Sequence, residues 1–196
     1  FYWFVVALYG IYLIKRHKVT LILNYNIFPH GFNAFFASLF THRPVIFADI
    51  NEDTVLIKSY RISLGRNLKD KKKLSDDGAT PIGTYKICNI SNDETYYKFL
   101  KINYPNLEDA SEALRKSLIS QKQFNQIKFE FYYEECVSYN IILGGNIGIH
   151  GIGRLNPIFK NLPFVYNWTD GSIALSNESL DEILSVIKIG THVVIK

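Results

Sequence analysis

From Val45 onward the apolar residues of this chain come in short, β-branched runs separated by turn-forming residues, and that texture confines the fold to a β-rich class. VIFADI (45–50) and TVLIKSYRISLG (54–65) flank a polar Asn51-Glu52-Asp53, the pattern of a hairpin. Asn67 to Asp77 is rich in Lys and Asp, so it is expected to be a solvated loop, Lys69 to Lys73 included. Gly78, Pro81 and Gly83 prolong that break before Thr84 to Ile87 resumes an extended pattern. The runs IILGGNIGIHG (141–151) and THVVIK (191–196) are short and apolar, as buried strands should be.

Two stretches switch to helical spacing. Asn106 to Gln126 carries Leu107, Ala110, Ala113 and Leu114 at helical intervals with charges between them, and predicts one helix packed on the sheet. Asn177 to Lys188 offers a side-chain cap followed by Leu180, Ile183, Leu184 and Ile187 on one face. No internal repeat or low-complexity segment is visible.

The first 43 residues differ in kind. Residues 1–14 carry no charge and are followed by Lys15-Arg16-His17-Lys18. A second uncharged stretch, Val19 to Thr41 apart from His30, is weakened as a spanning helix by Asn24, Asn26, Pro29 and Gly31. Two readings stand, a membrane anchor with the basic cluster on the cytoplasmic side or an apolar appendage packed on the domain, with a cleaved signal peptide as a third and weaker one. Membrane association through residues 1–40 is the favoured expectation. The division is thus 1–43 as an anchor or packing segment and 44–196 as the domain.

Composition narrows the function classes. With 196 residues there is room for one full core, and 47% hydrophobic against 20% charged residues describes a globule. The formal charge of +4 is modest, and three of its units sit in Lys15, Arg16 and Lys18. That is a membrane-flank signal rather than the broad basic face nucleic acid requires, so no nucleic-acid partner is expected. Cys88 and Cys136 permit one disulfide without demanding it and are read as structural thiols, free or paired. No spacing among His30, His42 and His192 suggests a metal site, and no cofactor is implied.

The residues that suggest chemistry are His150-Gly151, at the end of a buried-strand pattern, and Gly171-Ser172, just before an apolar run and a helix. A hydroxyl behind a glycine, with a histidine able to take its proton, is a minimal nucleophile and base, and nearby backbone N–H groups can form an oxyanion hole. On spacing alone the pair is weak, because a packed or surface histidine is the commoner fate. The serine-hydrolase elbow is absent, since Asp170-Gly171-Ser172-Ile173-Ala174 lacks the closing glycine.

Several motifs, in order, resemble the catalytic domain of the L,D-transpeptidases (YkuD-type). SLGRN (63–67) and DGATPIGTYKI (77–87) are similar to the family's opening strands and its D-G-x-T-P-x-G-x-Y-x-I signature. FLKINYPN (99–106) with Asp109-Ala110 resembles the strand and helix start that follow in one subgroup. GGNIGIHG (144–151) corresponds to the histidine motif, and TDGSIALSN (169–177) to the T-x-G-C-I-x-L-x-N nucleophile motif, in the subgroup that reads T-D-G-C-I-A. The closing GTHVVIK fits the last strand.

The resemblance implies a β-sandwich or barrel with short flanking helices, acting on peptidoglycan stem peptides at the periplasmic side of a bacterial envelope. It implies acyl transfer from tetrapeptide stems, with a carboxypeptidase or amidase, or a non-catalytic binding protein, as alternatives. His150 would be the base, steadied through its second ring nitrogen by a backbone carbonyl, and position 172 would attack. Gly171 and its neighbours would supply oxyanion N–H groups, while Gly151, Thr169 and Asp170 would meet substrate. The departure is Ser172 in the cysteine position: a serine hydroxyl is much harder to deprotonate than a thiol of pKa about 8.5, so reduced or absent activity is expected.

Overall fold

A computed structural model of the chain describes residues 19–23, 45–50, 53–134, 136–138, 141–155 and 167–196. Its centre is an eight-stranded sheet. The strands are β1 (Val19–Leu23), β2 (Val45–Ile50), β3 (Asp53–Ser59), β4 (Gly83–Asp93), β5 (Tyr97–Ile102), β6 (Gly148–His150), β7 (Ile173–Ala174) and β8 (His192–Ile195). They lie in the order β3-β2-β1-β8-β4-β5-β6-β7.

The expected hairpin is β2 and β3, antiparallel from Val45 opposite Ser59 to Ile50 opposite Asp53. Part of the segment read as an anchor or appendage is also strand: β1 pairs antiparallel with β2 and parallel with β8. The rest of residues 1–43, and with it the anchor reading, lies outside the described residues. Among the described residues no helix is long and apolar enough to cross a membrane.

The sheet curls because one segment serves both of its edges. β3 is the first strand in the order and β7 the last. Just past the end of β3, Ser63 bridges Ala174 of β7, donating to its carbonyl at 2.9 Å and accepting from its amide at 2.8 Å. The exposed backbone groups of an edge strand are thereby satisfied. A curled sheet with edges bridged in this way is the form taken by the expected sandwich or barrel.

Inside the curl the main core gathers Tyr85, Ile87, Leu100, Ile102, Ile149, Ile173 and Leu175. Helix α3 (Asn177–Leu184) closes it with Leu180 and Ile183. Its cap is Ser176, whose Oγ accepts from the Ser179 amide at 3.2 Å, one residue earlier than the sequence pattern places it.

The expected single helix from Asn106 is two helices, α1 (Leu107–Arg115) and α2 (Gln121–Tyr133). Asn106 caps the first and Ser120 the second, each in a reciprocal capping box with Asp109 and Gln123 respectively. Between them Ser117 adopts φ 57°, which no helix continues through. The pair builds a second core from Ala110, Ala113, Ile119, Ile127, Val137 and Leu143. Cys88 of β4 and Cys136, just after α2, form a disulfide.

The 67–77 segment is irregular as expected, but its lysines are not all solvated. The side chain of Lys72 is 1% exposed, and its ammonium donates to Asp77 Oδ1 at 3.0 Å and to the Leu74 carbonyl at 3.0 Å. Asp77 in turn accepts from the amides of Leu74 at 2.9 Å and Ala79 at 3.0 Å, and these bonds with Lys72 hold its carboxyl below the usual range against the opposing effect of burial. A buried charge demands such partners, so the loop folds about its own ion pair.

Candidate active site

The site is built on the parallel pairing of β6 with β7, in which Ile149 lies opposite Ile173 and His150 opposite Ala174. Paired residues of parallel strands point to the same face and alternate along the strand. Ser172, two positions before Ala174, therefore faces the same side as His150, two residue pairs away along the strands. The register is carried one step further by the Gly148 amide, which donates to Ser172 Oγ at 3.2 Å. His150 and Ser172 line one cleft of about 330 Å³, joined by Asp170, Ser75 and a wall of Tyr96, Phe99 and Trp168.

His150 is 4% exposed. Its Nδ1 is 2.7 Å from the Gly151 carbonyl, so the neutral ring that uses this contact carries its proton on Nδ1 and leaves Nε2 free to accept one. Burial lowers its pKa from the usual histidine value, against smaller opposing effects of the Gly151 carbonyl and of Asp93. The ring is packed between aromatic neighbours, with centroid distances of 4.6 Å to Tyr96, 5.9 Å to Trp168 and 6.2 Å to Phe99. The result is a fixed, neutral imidazole in a mostly apolar wall.

The turn before Ser172 is held by Thr169, whose Oγ1 donates to the Ser172 carbonyl at 2.5 Å and accepts from the Gly171 amide at 3.3 Å. The Thr169 hydroxyl and the Gly171 N–H are thus both engaged within the turn, and Thr169 also lines the cleft. What Gly171 supplies is backbone shape. It has φ 126°, and a Cβ there would stand 2.6 Å from the Ala79 carbonyl oxygen.

Gly151 is closely packed as well. It is absent from the cleft wall, and a Cβ on it would lie 2.5 Å from Asn177 Oδ1 and 2.8 Å from the Tyr96 carbonyl oxygen. Asp170 stands exposed at the rim, 2.9 Å from an Arg66 guanidinium nitrogen.

Two kinds of residue escaped the sequence reading. Asn177 accepts from the amides of Ile152 at 3.0 Å and Gly153 at 3.1 Å and donates to the Gly153 carbonyl at 3.1 Å, which fixes the chain leaving His150. Its signal was the closing asparagine of TDGSIALSN. The aromatic wall had no such signal, because Tyr96, Phe99 and Trp168 meet only in the fold. A second cleft of about 350 Å³ lies beyond the Lys72 loop, against Tyr104, Asp109 and Lys116. Its described lining holds no histidine, serine, threonine or cysteine. Among the described residues no group of three or more His, Cys, Asp or Glu side chains is placed to hold a metal ion. His30 and His42 lie outside the described residues.

Known proteins carry the same architecture. The helical cell shape determining protein Pgp2 from Campylobacter jejuni matches with a TM-score of 0.56 at 18% identity, over 97% of this chain and 55% of that one. Bd1075 of Bdellovibrio bacteriovorus matches with a TM-score of 0.53 at 16% identity, over 93% of this chain and 49% of that one. At such identities the likeness is one of fold, and this chain spans about half the length of those proteins. No curated protein sequence gives a significant match. The family model described as the L,D-transpeptidase catalytic domain (YkuD) matches residues 42–195. With most of its length inside that match, the chain belongs to the L,D-transpeptidase catalytic-domain family.

Proposed function

We propose that this domain handles the tetrapeptide stems of peptidoglycan by acyl transfer, with His150 as base and position 172 as the attacking residue, and that Ser172 makes the chemistry slow. The observation that carries the reading is the shared cleft, in which a buried, neutral imidazole and a side chain at position 172 face the same side of paired strands.

In the reaction, Nε2 of His150 takes the proton of the residue-172 nucleophile as its heteroatom attacks the carbonyl between the third stem residue and D-Ala. The tetrahedral adduct collapses, the C–N bond breaks, and the imidazolium returns the proton to the departing D-Ala amine. An amine of a second stem, or water, then attacks the acyl-enzyme and gives its proton to His150, which passes it to the heteroatom of residue 172 as that atom leaves. With an amine the outcome is a cross-link; with water it is trimming. The disulfide supports an oxidising compartment such as the bacterial envelope.

Ser172 favours a second reading, a stem-peptide binding protein that keeps the cleft without turnover. One experiment separates them. Tetrapeptide muropeptides are incubated with the chain and with Ser172→Cys, and D-Ala release, cross-linking and the acyl-enzyme mass are followed. Turnover gained with Ser172→Cys supports the enzyme scaffold. Binding without turnover by either chain supports the binding protein, and an absence of binding rejects peptidoglycan stems as the ligand.

A further inference from the structure

The least expected charge in the molecule is the buried ammonium of Lys72, in a loop whose composition predicts full solvation. Its position ties it to the site: a Cβ on Gly171 would lie 3.3 Å from Lys72 Nζ. The ammonium therefore sits directly behind the residue that precedes the attacking position. The loop meets Gly171 a second time through the Ala79 carbonyl, 2.6 Å from the same Cβ point. The ion pair links these contacts, because Asp77 Oδ1 accepts both from Lys72 at 3.0 Å and from the Ala79 amide at 3.0 Å. A weaker bond from Nζ to the Ser75 carbonyl, at 3.5 Å, reaches the residue of this loop that lines the cleft.

Such a pair is an expensive way to stabilise a loop, since an apolar pair of similar volume usually serves as well or better. Its placement is also asymmetric. The carboxylate of Asp77 accepts from the backbone amides of Lys73, Leu74 and Ala79 as well as from Lys72, so its charge is spread over several donors. The ammonium is on the side of Gly171. The other described charged or titratable groups near position 172 are His150 from β6, Tyr96 from the cleft wall and Asp170 from the same turn, the last paired with Arg66, while Asp93 acts on His150.

We propose that Lys72 is a positioning residue of the active site: it braces the 72–79 loop against Gly171 and places a positive charge beside the backbone that leads into position 172. This rests on the assignment of position 172 as the attacking residue. The charge favours an anion at position 172, whether alkoxide, thiolate or the oxyanion of an adduct, at a point where Thr169 and Ala79 have already fixed the backbone.

The test uses Ser172→Cys as a reporter and needs no substrate. The rate of alkylation by iodoacetamide is measured against pH, with folding checked by circular dichroism. Adding Lys72→Met is expected to move the midpoint of that profile up by about one pH unit. Lys72→Arg is expected to keep most of the effect, and Asp77→Asn, which leaves the ammonium uncompensated, to move the midpoint down. A purely structural lysine would change melting temperature and leave the midpoint where it was, and that result with folded Lys72→Met overturns the proposal. Should Lys72→Met not fold, Asp77→Asn decides, and a midpoint that fails to fall overturns it equally. Inertness toward stem peptides would count against the proposed function and leave this readout intact.

Discussion

Ser172 Oγ accepts a hydrogen bond at 3.2 Å from the amide of Gly148, on the strand that carries His150. Position 172 is thus held by the neighbouring strand as well as by its own turn, and exchanging oxygen for sulfur leaves that frame in place. Ser172→Cys is therefore expected to fold with an unchanged melting temperature and to raise turnover of tetrapeptide stems by at least ~100-fold, because the imidazole can generate a thiolate far more readily than an alkoxide. Adding His150→Ala should remove the gain, again by about 100-fold or more, the usual contribution of a positioned base. Equal rates for the single and double variants would mean that His150 does not serve position 172.

Gly171 allows a sharper structural prediction. Any side chain there meets the Ala79 carbonyl oxygen at 2.6 Å, and the residue must also keep φ 126°. Backbone cannot swing aside as a flexible side chain can, so Gly171→Ala should cost about 1–3 kcal/mol. For a chain of this size each kcal/mol is roughly 2–4 °C in melting temperature. Differential scanning calorimetry checks this, and a variant as stable as the parent would show that the turn relaxes freely.

His150 makes the site sensitive to acid. Its pKa in the folded state is depressed by burial, so the unfolded chain takes up the proton first as pH falls. The stability from burying a neutral ring is present above the unfolded value of about 6.5 and is lost as pH drops through the lower folded value. An NMR titration of the His150 ring in the Ser172 chain should give a midpoint below 6.5. A midpoint at or above that value would show that burial does not depress the ring, and one above about 7 would leave it mostly cationic at neutral pH and unfit it as a base.

Asp109 works in the opposite sense. Burial pushes its carboxyl up to about 6, although the Asn106 amide and the Tyr85 hydroxyl both donate to it. The folded value lies above the unfolded one, so its contribution is present below about pH 4 and is lost as pH rises through about 6. Asp109→Asn, which keeps an acceptor for the cap, should gain on the parent by on the order of 2 kcal/mol between pH 4 and pH 7. Urea melts at both pH values measure it, and a constant difference would show that the carboxyl ionises as freely as in water.

How much of this was legible in the sequence depended on the range of the interaction. The β2–β3 hairpin was readable because alternating runs and a polar turn are local. The break between α1 and α2 was written locally too, as Ser120 with Gln123, but the apolar spacing from Leu107 onward obscured it. Strand β1 was hidden because its five residues form part of a longer uncharged stretch. Lys72 could not be placed, since its burial depends on Asp77 folding back and on a turn near Gly171. Residue type made His150 and Ser172 a weak nucleophile and base pair, and it was the family resemblance that gave the pairing its weight. Spacing along the chain carries no sign that β6 and β7 run parallel, and that pairing is what brings the two residues to one face.

The disulfide separates the two cores in a way that can be measured. Cys88 sits on β4 in contact with the sheet, and Cys136 follows α2, 48 residues later. The loop so closed contains β5, α1 and α2, and α2 leaves Phe129, Tyr132 and Tyr133 largely exposed while burying little besides Ile127 and Glu130. The core it contributes to is the smaller one. Two further ties hold the segment after α2: Lys101 donates to the Val137 carbonyl at 2.9 Å, and the Ser138 amide donates to Glu130 at 2.8 Å. Closing a loop of this length restricts the unfolded chain by about 4 kcal/mol in the chain-entropy account, and measured losses on removing such bridges are typically about 2–4 kcal/mol. Cys88→Ser with Cys136→Ser should therefore lower the melting temperature, and hydrogen exchange should quicken first in α2 while β4, β5 and β6 stay protected. The cleft lies on the sheet side, so alkylation of a cysteine at position 172 should proceed at nearly the parent rate. Uniform loss of protection across the sheet would show instead that the bridge is integral to the main core.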